Sequence, residues 1–495
     1  LKALGGAATR LREKLGESLA SVQKFDAPLE NVTTASLQAL QAYSLGHRAR
    51  TVKGDPAAAI PFFQRGVDLD PNFAMAYIGL GDAYSNLGET VRAADTTRKA
   101  YALRDRVSER EKLSIASQYE SYVTGNLEAA RKAYELWAET YPRDDVPPTN
   151  LGYVYEELGE YDKSLAAAQR ALELNPGSGV VYGILMDDYM NLNRLDKARN
   201  TGQQAVAHHV SDSIRLDLYL LAFLQHDSPA MQRESAAVRG KPGIEDPILY
   251  YESDTAAYAG QFSKARELTR RAVASAQRAD EKEVAAGYQA EAALREALVG
   301  NTAFAQQEAQ SVLALPEGRD VEAVSGTALG LTGDSGGAVR VAGDLAKRFP
   351  EDTLVKFNYS PSIHAAAALG RSRTAKDADQ AIQALAAATP YELGSPVSSF
   401  DFNLYPIYLR GHAYLAARRG AAAAAQFQKI FDHPGVVVNE PIGSLAHLGL
   451  ARAYALTGDT AKSRTAYQDF FAIWNDADPD IPILKAAKAE YAKLP

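Results

Sequence analysis

The 495-residue sequence predicts an all-α fold, a solenoid of stacked helix–turn–helix units wound into a right-handed superhelix. Three observations carry this. Apolar residues recur at helical spacing along most of the chain. Breakers recur at a fixed period: Pro142 to Pro176 is 34 residues, and Gly81 to Gly152 and Pro71 to Pro142 are each 71, close to two periods. Finally, 46% hydrophobic and 23% charged residues is an ordinary balance for a chain that folds around a buried core.

The stretch from Asp145 to Pro176 sets the phase for the rest. Leu151, Tyr155 and Leu158 share one face of a first helix, which Gly159 ends. Leu165, Ala168, Ala171 and Leu172 form the apolar face of a second, closed by Asn175-Pro176 because a residue before proline is pushed out of the α region. Gly152 and Ser164 are small enough to let two helix axes approach. With Leu151-Gly152, Tyr155, Ala171 and Pro176 at its marked places, this segment resembles a tetratricopeptide repeat. The period implies roughly ten to twelve helix pairs, some degenerate.

In chain order, residues 1–36 read as an amphipathic lead-in helix (Leu4, Leu11, Leu15, Leu19, Val22) and a linker, with Thr33-Thr34 placed to cap the next helix. An N-terminal repeat array follows over 37–210, with an irregular first helix around Gly46. Residues 211–400 read as degenerate repeats, poorest between Val210 and Pro247, with turns at Gly260, Gly300 and Gly333. The alanine run Ala365 to Ala368 falls inside helical pattern, and Ala388 to Pro406 reads as a long loop or boundary. Residues 401–495 hold two more units and, from Asp478, a capping helix.

Composition excludes several chemistries. No cysteine is present, so thiolate catalysis, cysteine metal sites and disulfides are ruled out. A net charge of -8 gives no electrostatic footprint for nucleic acid. No apolar run approaches the ~20 residues of a membrane span, so direct membrane insertion is not expected. Leu1 in place of methionine suggests part of a longer polypeptide. The eight histidines form no helix-borne pair at metal-ligand spacing, neither phosphate loop nor dinucleotide fingerprint occurs, and no cofactor is expected. One stretch invites an enzymatic reading: Gly333-Asp334-Ser335-Gly336-Gly337 matches a serine-nucleophile turn. It falls where the repeat puts a turn, as at Gly458-Asp459, and its surroundings read as helix rather than strand.

Resemblance to a tetratricopeptide array implies that the first helix of each unit lines a concave groove. The positions beside the core leucine and tyrosine are then Ile78, Asp82 and Asn86; Ile115, Tyr119 and Tyr122; Thr149, Tyr153 and Glu157; and Asp187 and Asn191. The basic residues with which some such domains clamp a peptide carboxylate are missing from this set. An acidic and aromatic groove is expected, suited to a cationic or hydrogen-bonding peptide.

Two further segments, LREKLGESLASVQKFDAPLENVTTASLQALQAYSLG at 11–46 and NDADPDIPILKAAKAEYAKLP at 475–495, resemble the two ends of the C-terminal region of large bacterial membrane-bound serine/threonine protein kinases. In that family a cytoplasmic kinase domain precedes one membrane helix and an extracytoplasmic repeat region. Similar regions are attached to DNA-binding regulators. The resemblance implies a sensor or scaffold on the periplasmic side, without kinase activity of its own, since no kinase motif occurs here. The expected function is non-catalytic protein or peptide binding. The alternatives are a hydrolase using Ser335 or an acidic pair, and a structural assembly scaffold.

Overall fold

The computed structural model describes residues 34–51, 54–314, 318–371, 375–396 and 402–494, with Gly6 and Arg10 alone before them. The predicted lead-in helix therefore lies outside the described residues. Among those described there are only helices, turns and loops.

Six helix pairs make the first half. They are α1 (Leu37–Thr51) with α2 (Pro56–Leu69), α3 (Ala74–Asn86) with α4 (Thr90–Ala102), and α5 (Glu109–Tyr119) with α6 (Leu127–Thr140). Next come α7 (Val146–Glu157) with α8 (Tyr161–Leu174), α9 (Gly179–Asn191) with α10 (Leu195–Ala207), and α11 (Ile214–Leu224) with α12 (Ser228–Val238). The second half continues with α13 (Glu245–Tyr258) and α14 (Phe262–Arg278), α15 (Lys282–Leu298) and α16 (Thr302–Val312), and α17 (Arg319–Leu331) and α18 (Ser335–Arg348). It closes with α19 (Ser360–Arg371) and α20 (Ala375–Leu385), α21 (Tyr405–Ala416) and α22 (Gly420–Asp432), the short α23 (Pro434–Val437), α24 (Pro441–Thr457) and α25 (Thr460–Ile473), and a terminal α26 (Pro482–Tyr491).

The local rules explain the punctuation. Gly159 takes φ 75°, a conformation that a side chain would strain, and it reverses the chain between α7 and α8. Asn193 does the same between α9 and α10 at φ 53°, as asparagine tolerates. Asn175 leaves the helical region at φ -139° and ψ 80°, ending α8 ahead of Pro176. The capping of α1 differs from expectation: the Ser36 hydroxyl accepts the Ala39 N–H at 3.2 Å, while the Thr34 hydroxyl accepts the Ser36 N–H and donates to Asp70. The first helix is also continuous through Gly46. Glycine stands there because a Cβ would meet the ring of Phe63 at 2.9 Å, and Gly79 clears the other side of the same ring. Phe427 is seated in the same way between Gly411 and Gly449.

One stretch that read poorly in sequence is regular, and the alanine run is helical as its pattern predicts. Residues 210–247 contain the ordinary pair α11 and α12, and the alanine run belongs to α19, part of a pair the period did not reveal. The predicted loop at 388–406 begins as a 3-10 turn, and its described residues 392–396 and 402–404 are turns and loop. Glu392 within it is buried and paired with Arg410 at 2.6 Å and Lys429 at 2.7 Å.

The solenoid is wound so tightly that its second half lies against its first. Across that seam the Thr353 N–H donates to Gly125 O at 2.9 Å and the Ser395 N–H to Glu156 O at 3.1 Å; within the second half the Asp478 N–H reaches Gly260 O at 3.0 Å and the Ile483 N–H reaches Val299 O at 3.1 Å. In each case the turn inside one helix pair meets a junction far ahead in the chain. At one contact two helix ends exchange caps. Glu89 precedes α4, and its carboxylate accepts the Glu283 N–H of α15 at 3.0 Å. Glu283 returns the favour, accepting the Val91 N–H of α4 at 3.0 Å and the Thr90 hydroxyl. Neither helix has a side-chain cap of its own, so each positive helix end is satisfied by the other coil. One apolar cluster accordingly runs from Leu127 to Ala487.

Candidate functional site

Inside the first coil the winding leaves a cavity of about 540 Å³. Its walls come from both coils. Arg50 of α1, Asp82 and Asn86 of α3, and Thr149, Tyr153 and Glu157 of α7 line one side, while Arg319, Arg348, Phe349 and Asp352 enter from the other. Spacing explains α7: Thr149, Tyr153 and Glu157 are four apart and form one face. All three are half-buried, while Gly152, Val154 and Glu156 between them are buried. Tyr122 reaches the cavity from a π turn, Glu120–Thr124, which widens the end of α5 and re-aims the side chains there.

The two ends of this space differ electrically. Where the coils meet, charges are paired. Arg50 holds Asp82 at 3.1 Å; Arg319 holds Asp320 at 2.6 Å and Asp352 at 2.5 Å; Arg348 holds Glu322 and, at 2.7 Å, Asp344. Burial raises the Asp82 carboxyl, and Arg50 pulls it back down. Toward α9 and α11 carboxyl groups cluster instead, with the Ser164 hydroxyl donating to Asp188 at 2.8 Å. Burial lifts Asp187 to about 7 and, with a smaller push from Asp187, Asp188 to about 8. Glu156 and Asp217 are raised well above their ordinary values, first by burial and then by neighbouring carboxylates. Burial also raises the Tyr153 hydroxyl, with Glu156, Asp187 and Asp217 adding to it.

Of the residues predicted to face a ligand, Asp82, Asn86, Tyr122, Thr149, Tyr153 and Glu157 come together around the cavity. Asp187 lies further along the same inner face. The others are elsewhere. Ile78 is 3% exposed in a core shared with Ile115, which is fully buried, so neither offers surface to a ligand. Tyr119 stacks on Tyr101 with ring centroids 3.9 Å apart, away from the cavity wall. Asn191 ends α9 under the short α23, where a Cβ on Gly435 would approach its backbone nitrogen to 2.9 Å. Sequence reasoning missed Arg50, Arg319, Arg348, Phe349, Asp352 and Asp217. For the four from the second coil no signal existed, because winding alone brings them in. Asp217 could have been found, since it stands one 34-residue period after Gly183, itself one period after Thr149.

Ser335 is the first residue of α18, and its hydroxyl donates to the Ala367 carbonyl at 2.8 Å. Asp334 caps that helix by accepting the Gly337 N–H at 2.8 Å. Among the described residues no group of three or more histidine and carboxylate side chains is placed to hold a metal ion, and no helix is long and apolar enough to cross a membrane.

Known proteins agree with the repeat. Tetratricopeptide-repeat models match residues 149–178, 48–106 and 408–478, so the chain carries such repeats near both ends. No curated protein sequence matches it. Among solved structures it is similar to PilW, a widely conserved type IV pilus biogenesis factor, at 16% identity and a TM-score of 0.29, over 42% of this chain and 94% of that one. It is also similar to the human IFIT1 dimer with PPP-AAAA, at 12% identity and a TM-score of 0.39, over 80% of this chain and 90% of that one.

Proposed function

We propose that this chain is a non-catalytic scaffold or sensor region that seats a peptide segment of a partner protein in the cavity of its first coil. The observation that carries the reading is the inner wall itself. Half-buried polar and aromatic side chains from successive first helices converge there on a space that neither coil fills. The hydroxyl of Ser335 is engaged with backbone, which favours a helix-start role over a nucleophile. The finer reading, that the parent polypeptide is a bacterial membrane-bound serine/threonine kinase with this region outside the cytoplasm, rests on the resemblance of segments 11–46 and 475–495.

A phage-displayed decapeptide library selected on the immobilised chain tests the binding reading. Peptides should enrich on the wild type and fail to enrich on a Tyr153→Ala/Phe349→Ala variant that keeps its helical circular dichroism. Enrichment that is equal on both, or none at all, would overturn it.

A further inference from the structure

We propose that the cavity selects an uncharged, hydrogen-bonding stretch of the bound peptide, rich in serine, threonine, asparagine, glutamine or aromatic side chains, and turns away lysine, arginine, aspartate and glutamate alike. This rests on the peptide-binding reading above and deepens it.

The charges of the wall come first. Among the described residues that line the cavity are four arginines and four carboxylates, so their formal charges cancel. They are also engaged one by one. Arg50 holds Asp82 at 3.1 Å, and Arg319 holds Asp352 at 2.5 Å. The more exposed Arg98 and Arg348 hold Asp95 and Asp344, each at 2.7 Å. Asp352 further accepts the Val355 N–H at 2.9 Å, Asp145 accepts the Asn175 amide at 2.7 Å, and Glu157 is engaged as well. In the two most sheltered pairs the carboxylate side chains of Asp82 and Asp352 are 12% and 2% exposed. A ligand group of either sign would have to take one member from its partner there, and the charge it strands lies out of water.

What the wall leaves unspent is neutral. The Thr149 hydroxyl donates to the Asp145 carbonyl at 2.7 Å, and the Asn150 amide donates to the Val146 carbonyl at 2.9 Å. Each keeps an oxygen that can still accept, as does Asn175, whose amide is spent on Asp145. All three belong to the cavity wall, from α7 and the end of α8. A backbone N–H, a hydroxyl or a side-chain amide of the peptide can donate to such oxygens without disturbing a charge pair. Tyr122, Tyr153 and Phe349 add half-buried ring surface from both coils, on which an aromatic or a flat amide group packs. At about 540 Å³ the space has the size of a small-molecule site, so only a short run of a longer peptide enters it and the flanks are free to carry charge.

The test takes a synthetic decapeptide enriched in the selection above and replaces each position in turn by lysine and, separately, by glutamate, reading affinity by fluorescence anisotropy. Both replacements should weaken binding about tenfold or more over one run of adjacent positions and have little effect outside it. The parent peptide's affinity should change less than about twofold between about 50 and 500 mM salt. Asp82→Asn then frees Arg50 from its counter-ion. On this variant the glutamate replacement at one position of the run should recover most of its loss, which a mere change of fit would not produce. A scan in which either sign is tolerated at every position, or improves binding within the run, would overturn the selectivity while leaving peptide binding intact. So would a folded Asp82→Asn that recovers no glutamate analogue; if that variant does not fold, the scan on the wild type decides alone. A selection yielding no peptide sinks both readings.

Discussion

The same register position has opposite fates in the two coils. Six residues before the turn that reverses each helix pair stand Asp82, Tyr153, Asp187 and Asp254. In the first coil Asp82 and Tyr153 line an open cavity and Asp187 lies half-buried on the inner face beyond them. In the second, Asp254 is 1% exposed and clamped by Arg295 of α15 at 2.5 Å, with Thr269 accepting from the same guanidinium at 2.8 Å. Around it Tyr288 donates to Asp246 at 3.0 Å, Tyr359 donates to Asp320 at 2.8 Å, and Phe402 stacks on Tyr405. One coil leaves its inner face open around a cavity; the other turns that face into a core. The difference is made by partners, not by the helix pair, because an aspartate is usable in either role once its charge is met or left open.

Breaking the filled coil should have the largest effect. Arg295→Met leaves Asp254 buried and unpaired, and should cost about 3–5 kcal/mol in urea denaturation. Adding Asp254→Leu should recover most of the loss; if the double variant is as unstable as the single, the pair is not what holds this position. Opening the contact between coils comes next. A Cβ at Gly435 would overlap the Met190 carbonyl, so Gly435→Ala should cost about 1–3 kcal/mol. Faster hydrogen exchange should follow at 186–193 and 434–438, with no change around Tyr288.

A smaller effect is expected at the exchanged caps, through pH. Burial lifts Glu283 to about 7, above its ordinary 4.5, against the pull of Thr90 and Val91. A carboxyl raised on folding favours the folded state most while protonated. Its contribution is full below about 4.5 and is lost as pH rises through 7. Stability should therefore fall between pH 5 and 8, and Glu283→Gln should flatten that fall in thermal melts. The smallest effect sharpens the comparison itself. Asp187→Asn should leave stability within about 0.5 kcal/mol at pH 6, where the carboxyl is largely protonated already. Asp254→Asn should be destabilising at the same pH because it strands Arg295. Equal responses would mean that the two coils do not use this position differently.

Much of this was legible because it is local. Gly159, Asn175-Pro176 and the four-residue spacing of Thr149, Tyr153 and Glu157 are set within one helix pair, and a 34-residue period carries them along the chain. What was not legible is the winding. Thr353 and Gly125 touch through a single backbone hydrogen bond, and no periodicity marks a residue for such a contact. For that reason Arg319, Arg348 and Phe349 of the cavity could not be placed, nor could the anchoring of Glu392 within the loop that the sequence did mark. Ile78 failed for a related reason. Its helical phase matches Asp82 and Asn86, but it belongs to the apolar cluster of the first three pairs, and that burial overrides the phase.

The exchanged caps have a consequence for how the chain is made. Thr90 and Glu283 are separated by 193 residues, so on a ribosome α4 is complete long before its partner exists. At roughly 5–20 residues per second the wait is about 10–40 seconds. Throughout that interval the early units stand as an open stack whose inner face is bare and whose α4 end is hydrated. A nascent chain is thus born with its inner face exposed, and only the later units, arriving in order, close it into a cavity.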